Sequence, residues 1–207
     1  MDYYSLWVIS KYLCYRHPVY NVSQVVAICG MPGSGKGEFA KIVARHDIPV
    51  RSMGDMVRAE VESRGMIGNP AVYGEVAADL RAKYGEDVLA VRLADEVSSL
   101  LEEYPIVLIV GMRGTAEHEI FRTRWSPNFS SLAIVADQEI RFTRTQSRGR
   151  QEDGDRHHFQ MRENREAGWG LLELIEDADY TITNESSLQD LVHSAEMWLS
   201  EFRSNRL

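Results

Sequence analysis

The stretch that decides the fold is VVAICGMPGSGKGEFA, residues 25–40. An apolar run gives way to a turn with glycines at 30, 33, 35 and 37, and Lys36 opens a helical pattern through Phe39 and Ala40. Gly30 followed after four residues by Gly35-Lys36 has the spacing of a phosphate-binding loop. Glycines let backbone N–H groups turn inward around an anion, and the helix beginning at the lysine points its positive end at the same place. The strict pattern next requires a Ser or Thr hydroxyl for Mg²⁺. Here that position is Gly37, followed by Glu38. The expected contacts to ATP run through Gly30, Met31, Pro32, Gly33, Ser34, Gly35, Lys36, Gly37 and Glu38, with Lys36 reaching the β- and γ-phosphates. The alternative, a Gly-rich turn that binds nothing, leaves the lysine at this spacing unexplained.

Outward from the loop, apolar runs bounded by breakers alternate with helical patterns, as in βαβ units around a parallel sheet. Five buried strands are expected, at 25–29, 49–52, 106–110, 132–136 and 180–183. The runs PIVLIVG and SLAIVAD are continuously apolar, as parallel strands covered on both faces must be. Helices are expected at 36–46, 54–64, 71–83, 86–103, 115–124, 138–148, 158–177 and 187–203. This is an α/β chain of 207 residues, long enough for one substantial core.

The composition, 44% hydrophobic and 26% charged, is that of an ordinary soluble protein. A formal charge of −8 argues against wrapping nucleic acid, whose backbone is bound by basic surface. Of 23 basic residues only four are lysines, so arginine, whose planar fork grips phosphate bidentately, dominates. A coding bias would produce the same imbalance. Cys14 and Cys29 suggest no disulfide framework and fit a reducing cytoplasm. The opening MDYYSLWVISKYLCYRH is too short for a membrane span and lacks signal-peptide flanks. Residues 1–22, where Leu6, Ile9 and Leu13 recur at helical spacing, are expected as an N-terminal extension preceding a single domain over 23–205.

GMPGSGKGEFA resembles the loop of adenylate kinase and other nucleoside-monophosphate kinases, where a glycine also follows the lysine. Gly37 is then no defect, whereas Glu38 replaces a threonine. The combination GKGEF looks most like an archaeal family described as adenylate-kinase-like or dephospho-CoA-kinase-like. The resemblance implies a three-layer P-loop kinase fold with a five-stranded parallel sheet, an acceptor-binding helical region at about 53–85 and a short lid at about 148–160. VRSMGDMVR (50–58) resembles the acceptor segment of adenylate kinase. It implies that Arg58 holds the acceptor's phosphate while Asp55 organises the site, with Met53 in place of a threonine. Read alone, Gly54-Asp55 is a helix start with a solvated arginine. The third strand ends VLIVGMRG. Arg113 takes the place of a second acceptor arginine, at the strand ends where open α/β sheets bind ligands. The acid that anchors Mg²⁺ in that family aligns with Val110, so no residue is assigned as a metal ligand, and Glu38 or Asp55 is expected to take over a water-mediated contact.

DQEIRFTRTQSRGR (137–150) spaces Arg141, Arg144 and Arg148 three and four apart, on one helix face, with Arg150 beyond. Such a cationic face is expected to await an anion. The alternative is a solvated face answered by EDGD downstream. The resemblance carries Arg144 and Arg148 over as catalytic arginines beside Lys36 and Arg113. Arg156, Arg162 and Arg165 are further closing candidates. His157-His158 has no third metal ligand at a recognisable spacing. ADYTITNESSLQDL (178–191) resembles dephospho-CoA kinase and makes Asn184 and Glu185 neighbours of the adenine, or simply a helix-capping turn. The expected activity is transfer of the γ-phosphoryl of ATP, with Mg²⁺, to a nucleoside monophosphate. The alternatives are dephospho-CoA, or a nucleotide-binding regulator without catalysis. The expected partners are ATP and a small phosphate-bearing acceptor, with neither nucleic acid nor membrane.

Overall fold

A computed structural model describes residues 23–206, so the N-terminal extension, with Cys14, lies outside the described residues. Five strands, β1 (Gln24–Cys29), β2 (Val50–Ser52), β3 (Ile106–Val110), β4 (Phe129–Val135) and β5 (Tyr180–Thr183), form one parallel sheet in the order β2-β3-β1-β4-β5. Among the described residues the helices are α1 (Lys36–Ala44), α2 (Met53–Ser63), α3 (Pro70–Tyr84), α4 (Val88–Leu100), α5 (Thr115–Trp125), α6 (Gln138–Arg148), α7 (Arg156–Gly168), α8 (Leu171–Glu176) and α9 (Leu188–Arg206).

The period-two geometry of β1 divides the core. Val26 and Ile28 face a layer built by α1 and α9, with Phe39, Ile42, Trp198 and Phe202. Val25, Ala27 and Cys29 face the other layer, built from α2, α3, α4, α5 and α8. All six residues of β1 are buried, which accounts for its unbroken apolar sequence. Two helical layers therefore enclose the sheet, making three layers in all, as the resemblance implies.

Two departures from expectation have a structural cause. β4 begins at Phe129, three residues early, because Ser130 and Ser131 are buried and Asp179 accepts hydrogen bonds from the Ser131 amide (2.7 Å) and hydroxyl (2.9 Å). Ser131, satisfied by that partner, belongs in a buried strand as readily as an apolar residue, whereas the Ser130 hydroxyl beside it is buried without a hydrogen bond. The single helix expected at 158–177 is two, α7 and α8, broken where Gly170 takes φ 91°. That left-handed conformation ends helices, and here it turns α8 back onto β1 and β4.

The chain leaves β1 toward β2 on one side and leaves β3 toward β4 on the other, so the connections part at the C-terminal ends of β1 and β3. Ligands of open α/β sheets bind in such a crevice. The loop after β1 and the loop after β3 border it.

Candidate functional site

The glycine turn, residues 30–35, crosses from β1 into α1. Gly33 (φ 82°) and Gly35 (φ 103°) occupy left-handed conformations. A Cβ at Gly33 would collide with the backbone carbonyl of Arg141, and one at Gly35 with the Asn184 amide. Both positions therefore require glycine for conformation and for space. Gly35 is also the N-cap of α1, where no side chain caps the helix. The first-turn amides are thus left for a ligand. Lys36 Nζ donates to the carbonyls of Gly30 and Met31, the latter at 2.9 Å. Burial lowers its pKa to about 7; Glu166 opposes the shift, and Arg113 and Arg162 add to it.

Lys36, Arg58, Arg113, Arg144 and Arg148 all line one cavity of about 760 Å³ with the loop. That is within the usual range for ligand sites, roughly 300–1,000 Å³. Arg58 stands one turn into α2, whose N-terminus is capped by Ser52, its hydroxyl accepting from the Asp55 amide (3.3 Å). Its guanidinium pairs with Asp55 and, at 3.1 Å, with Glu152 of the α6–α7 connection. Arg113 follows β3. Glu117, fully buried, accepts from the Arg113 amide (2.8 Å) and the Gly114 amide (3.2 Å) and pairs with Arg81 of α3 at 2.6 Å. This carboxylate fixes the loop that carries Arg113.

The basic face of α6 is not free. Arg141 is buried, donating to Pro32 O (3.2 Å) and Ala136 O (2.9 Å) and pairing with Glu163, so it fastens α6 to the phosphate loop. Arg144 donates to Asn184 O at 2.7 Å and Ser186 O at 3.3 Å. Arg148 forms a two-bond pair with Asp153 (2.6 and 2.7 Å). The expectation of an open cationic face is corrected on this point: each arginine already has an acceptor, Asp153 coming from the EDGD segment. Asn184 also lines the cavity, its Nδ2 donating to Ser34 O at 2.8 Å, while Glu185 accepts from the Asp137 amide at 3.1 Å.

Arg156 pairs with Glu139 on the surface, outside the cavity. Arg162 lines the cavity, and Arg165 a recess of about 30 Å³ behind it. His158 pairs with Asp155, the N-cap of α7, and among the described residues no group of three or more metal-type side chains gathers.

Glu166 was not singled out by the sequence. It is 2% exposed, its Oε1 accepts from Arg162 Nε at 2.9 Å and lies 3.4 Å from Arg113 Nε. Burial pushes its pKa up, but Arg113, Arg162 and Lys36 outweigh that and hold it at about 2. A signal existed. Phe159 marks the inward face of α7, and Glu163 and Glu166 share it four and seven residues on. In REN-REAGW those residues read as solvent-facing charge.

The AAA domain family matches residues 29–158. The chain is 40% identical over 167 residues to the UPF0200 protein of Methanosarcina barkeri, covering 80% of this chain and 89% of that one. It is 36% identical over 183 residues to the UPF0200/UPF0201 protein of Archaeoglobus fulgidus, covering 88% of this chain and 57% of that longer protein. Among solved structures, shikimate kinase from Acinetobacter baumannii in complex with shikimate aligns with a TM-score of 0.57 at 16% identity, covering 91% of this chain and 97% of that one. The shared architecture is the α/β fold of P-loop kinases.

Proposed function

The chain belongs to the archaeal UPF0200 family, and from that premise we propose that it is an ATP-dependent phosphotransferase acting on a nucleoside monophosphate. One observation carries the reading: a single cavity is lined by the phosphate loop with Lys36 and by Arg58 and Arg113, arginines from two other elements. The loop amides and Lys36 hold the donor's phosphates. Arg58 and Arg113 hold the acceptor's phosphate, α2 and α3 forming the acceptor-binding region. Arg144 and Arg148, on the helix that leads into the lid at 148–160, close the site. Positioning and charge stabilisation carry such a transfer, so no covalent intermediate is needed. A monophosphate oxygen is already anionic and needs no general base.

Mg²⁺ arriving with ATP would offset the negative charge of the phosphates. The residues present fit an ion that arrives with the nucleotide. Glu38 and Asp55 face the cavity as its candidate water-mediated contacts, each also paired with a cation, Lys41 (2.8 Å) and Arg58. The reading also places the protein in the cytoplasm, where ATP is available; among the described residues no helix is long and apolar enough to cross a membrane.

A second acceptor, the ribose hydroxyl of dephospho-CoA, is supported by Asp55, an exposed carboxylate on the cavity wall available as a general base. A third reading, a nucleotide-binding regulator, draws on Val110, which stands where the metal-anchoring acid would, and on Glu38, a carboxylate in place of a threonine, whereas the arginines of α6 oppose it. Incubation with ATP, Mg²⁺ and AMP, CMP, UMP or dephospho-CoA separates them. ADP formation that depends on a monophosphate supports the proposal, dependence on dephospho-CoA alone selects the second acceptor, and tight ATP binding without turnover selects the regulator.

A further inference from the structure

Arg113 and Arg162 reach the cavity from different elements, the loop after β3 and the middle of α7. Two guanidinium groups brought together in a partly buried site repel, and burial raises the cost of each charge. Glu166 is the carboxylate they share. Its contacts are to the Nε edge of both, at 2.9 Å for Arg162 and 3.4 Å for Arg113. The first is an aligned hydrogen bond. The second is an ion pair that leaves Arg113 Nε buried without one. Arg162 Nη1 also lies 3.5 Å from Asp153, while the terminal nitrogens of Arg113 have no partner among the described residues. Glu166 itself borders the small recess and not the main cavity, so it stands behind the arginines.

We infer that Glu166 is a positioning residue for phosphoryl transfer: one buried carboxylate holds Arg113 and Arg162 by their inner edges so that both turn their outer nitrogens toward one anionic group. The inference rests on the phosphotransferase reading. Its physical content is preorganisation, since donors fixed in advance need not be reoriented when charge develops. The charges facing Glu166 are Arg113 after β3, Arg162 and Arg165 on α7 and Lys36 on α1, and Arg113, Arg162 and Lys36 keep it ionised.

The test uses Glu166→Gln and Glu166→Asp in the full chain. Side-chain NMR of the arginine Nε–H groups reads position directly, with inorganic phosphate as the anion. In the wild type, phosphate should shift the Arg113 and Arg162 resonances together; in Glu166→Gln the coupled response should be lost, and in Glu166→Asp partly restored. Where an acceptor supports turnover, Glu166→Gln should lower kcat roughly 10–100-fold while leaving acceptor KM unchanged or lower, because a negative charge has been removed from an anion site. A merely structural glutamate would lose kcat, KM and Tm together without rescue by Asp, and that pattern overturns the inference. So does a wild-type protein in which phosphate moves neither resonance, or a Glu166→Gln enzyme with wild-type kcat. Absence of turnover with every acceptor sinks the phosphotransferase reading instead, and the phosphate response still decides the role of Glu166.

Discussion

Lys36 shows how burial sets a charge at the scale of one residue. An ordinary lysine titrates at about 10.4, whereas this one is lowered to about 7 by burial beside Arg113 and Arg162, against the pull of Glu166. Above about pH 7 the free protein therefore favours the neutral amine, and the phosphates of ATP favour the ammonium. Binding should take up a proton at pH 8 and none at pH 6, measurable by calorimetry in buffers of different ionisation enthalpy. Lys36→Arg, always charged, should abolish the uptake, and an uptake that persists in that variant would assign the proton elsewhere. The metal contact is a second residue-scale matter. Glu38→Ala is expected to weaken the Mg²⁺ dependence of turnover, and a variant with unchanged dependence removes Glu38 from that role. Lys36, Arg58 and Arg113 were legible because each follows a strand end within seven residues, where sequence order already fixes direction. Glu166 was not, because its one signal, the helix face it shares with Phe159, is outweighed by a run of alternating charges that reads as solvent-facing.

Between elements, the links are hydrogen bonds that sequence spacing cannot show. Arg144 of α6 donates to Asn184 O, and Asn184 of the β5–α9 turn donates to Ser34 O, so α6 is coupled to the phosphate loop through two side chains. Removing a bonded buried partner costs about 1–3 kcal/mol. Asn184→Ala should accordingly weaken ATP binding by roughly 10-fold or more, with a smaller effect on binding of adenosine, which has no phosphates to place. Equal losses for both ligands would assign Asn184 to the base instead. A comparable tie joins α3 to α5 through Arg81 and Glu117, both nearly inaccessible to solvent. Breaking one side of a buried pair typically costs about 3–5 kcal/mol. Glu117→Ala should lower stability by about that amount in denaturant unfolding, and a loss below about 1 kcal/mol would mean the pair is not the support it resembles. The helix periodicities located every one of these elements, but the break between α7 and α8 rests on a single glycine conformation that the surrounding helical pattern concealed.

For the molecule as a whole, the sheet order brings the ends of β1 and β3 together and wraps α2, α6 and α7 around them, so one cavity collects Lys36, Arg58, Arg113, Arg148 and Arg162. The alternation of apolar and helical segments made the parallel sheet legible, and the resemblance its three layers. The EDGD segment was already the alternative answer to the basic face, and it supplies Glu152 and Asp153; the pairing with Glu166 was not legible, since it depends on contacts across the fold. The central claim is that two anionic molecules meet in this cavity and exchange a phosphoryl group. The measurement that tests it most directly follows label from [γ-³²P]ATP onto AMP, CMP or UMP, in wild type, Arg58→Ala and Arg113→Ala. The account predicts label on the acceptor in the wild type and losses of about 100-fold or more in both variants, with ATP binding retained in Arg58→Ala. Label released only to water with every monophosphate, or variants that transfer as the wild type does, would contradict it.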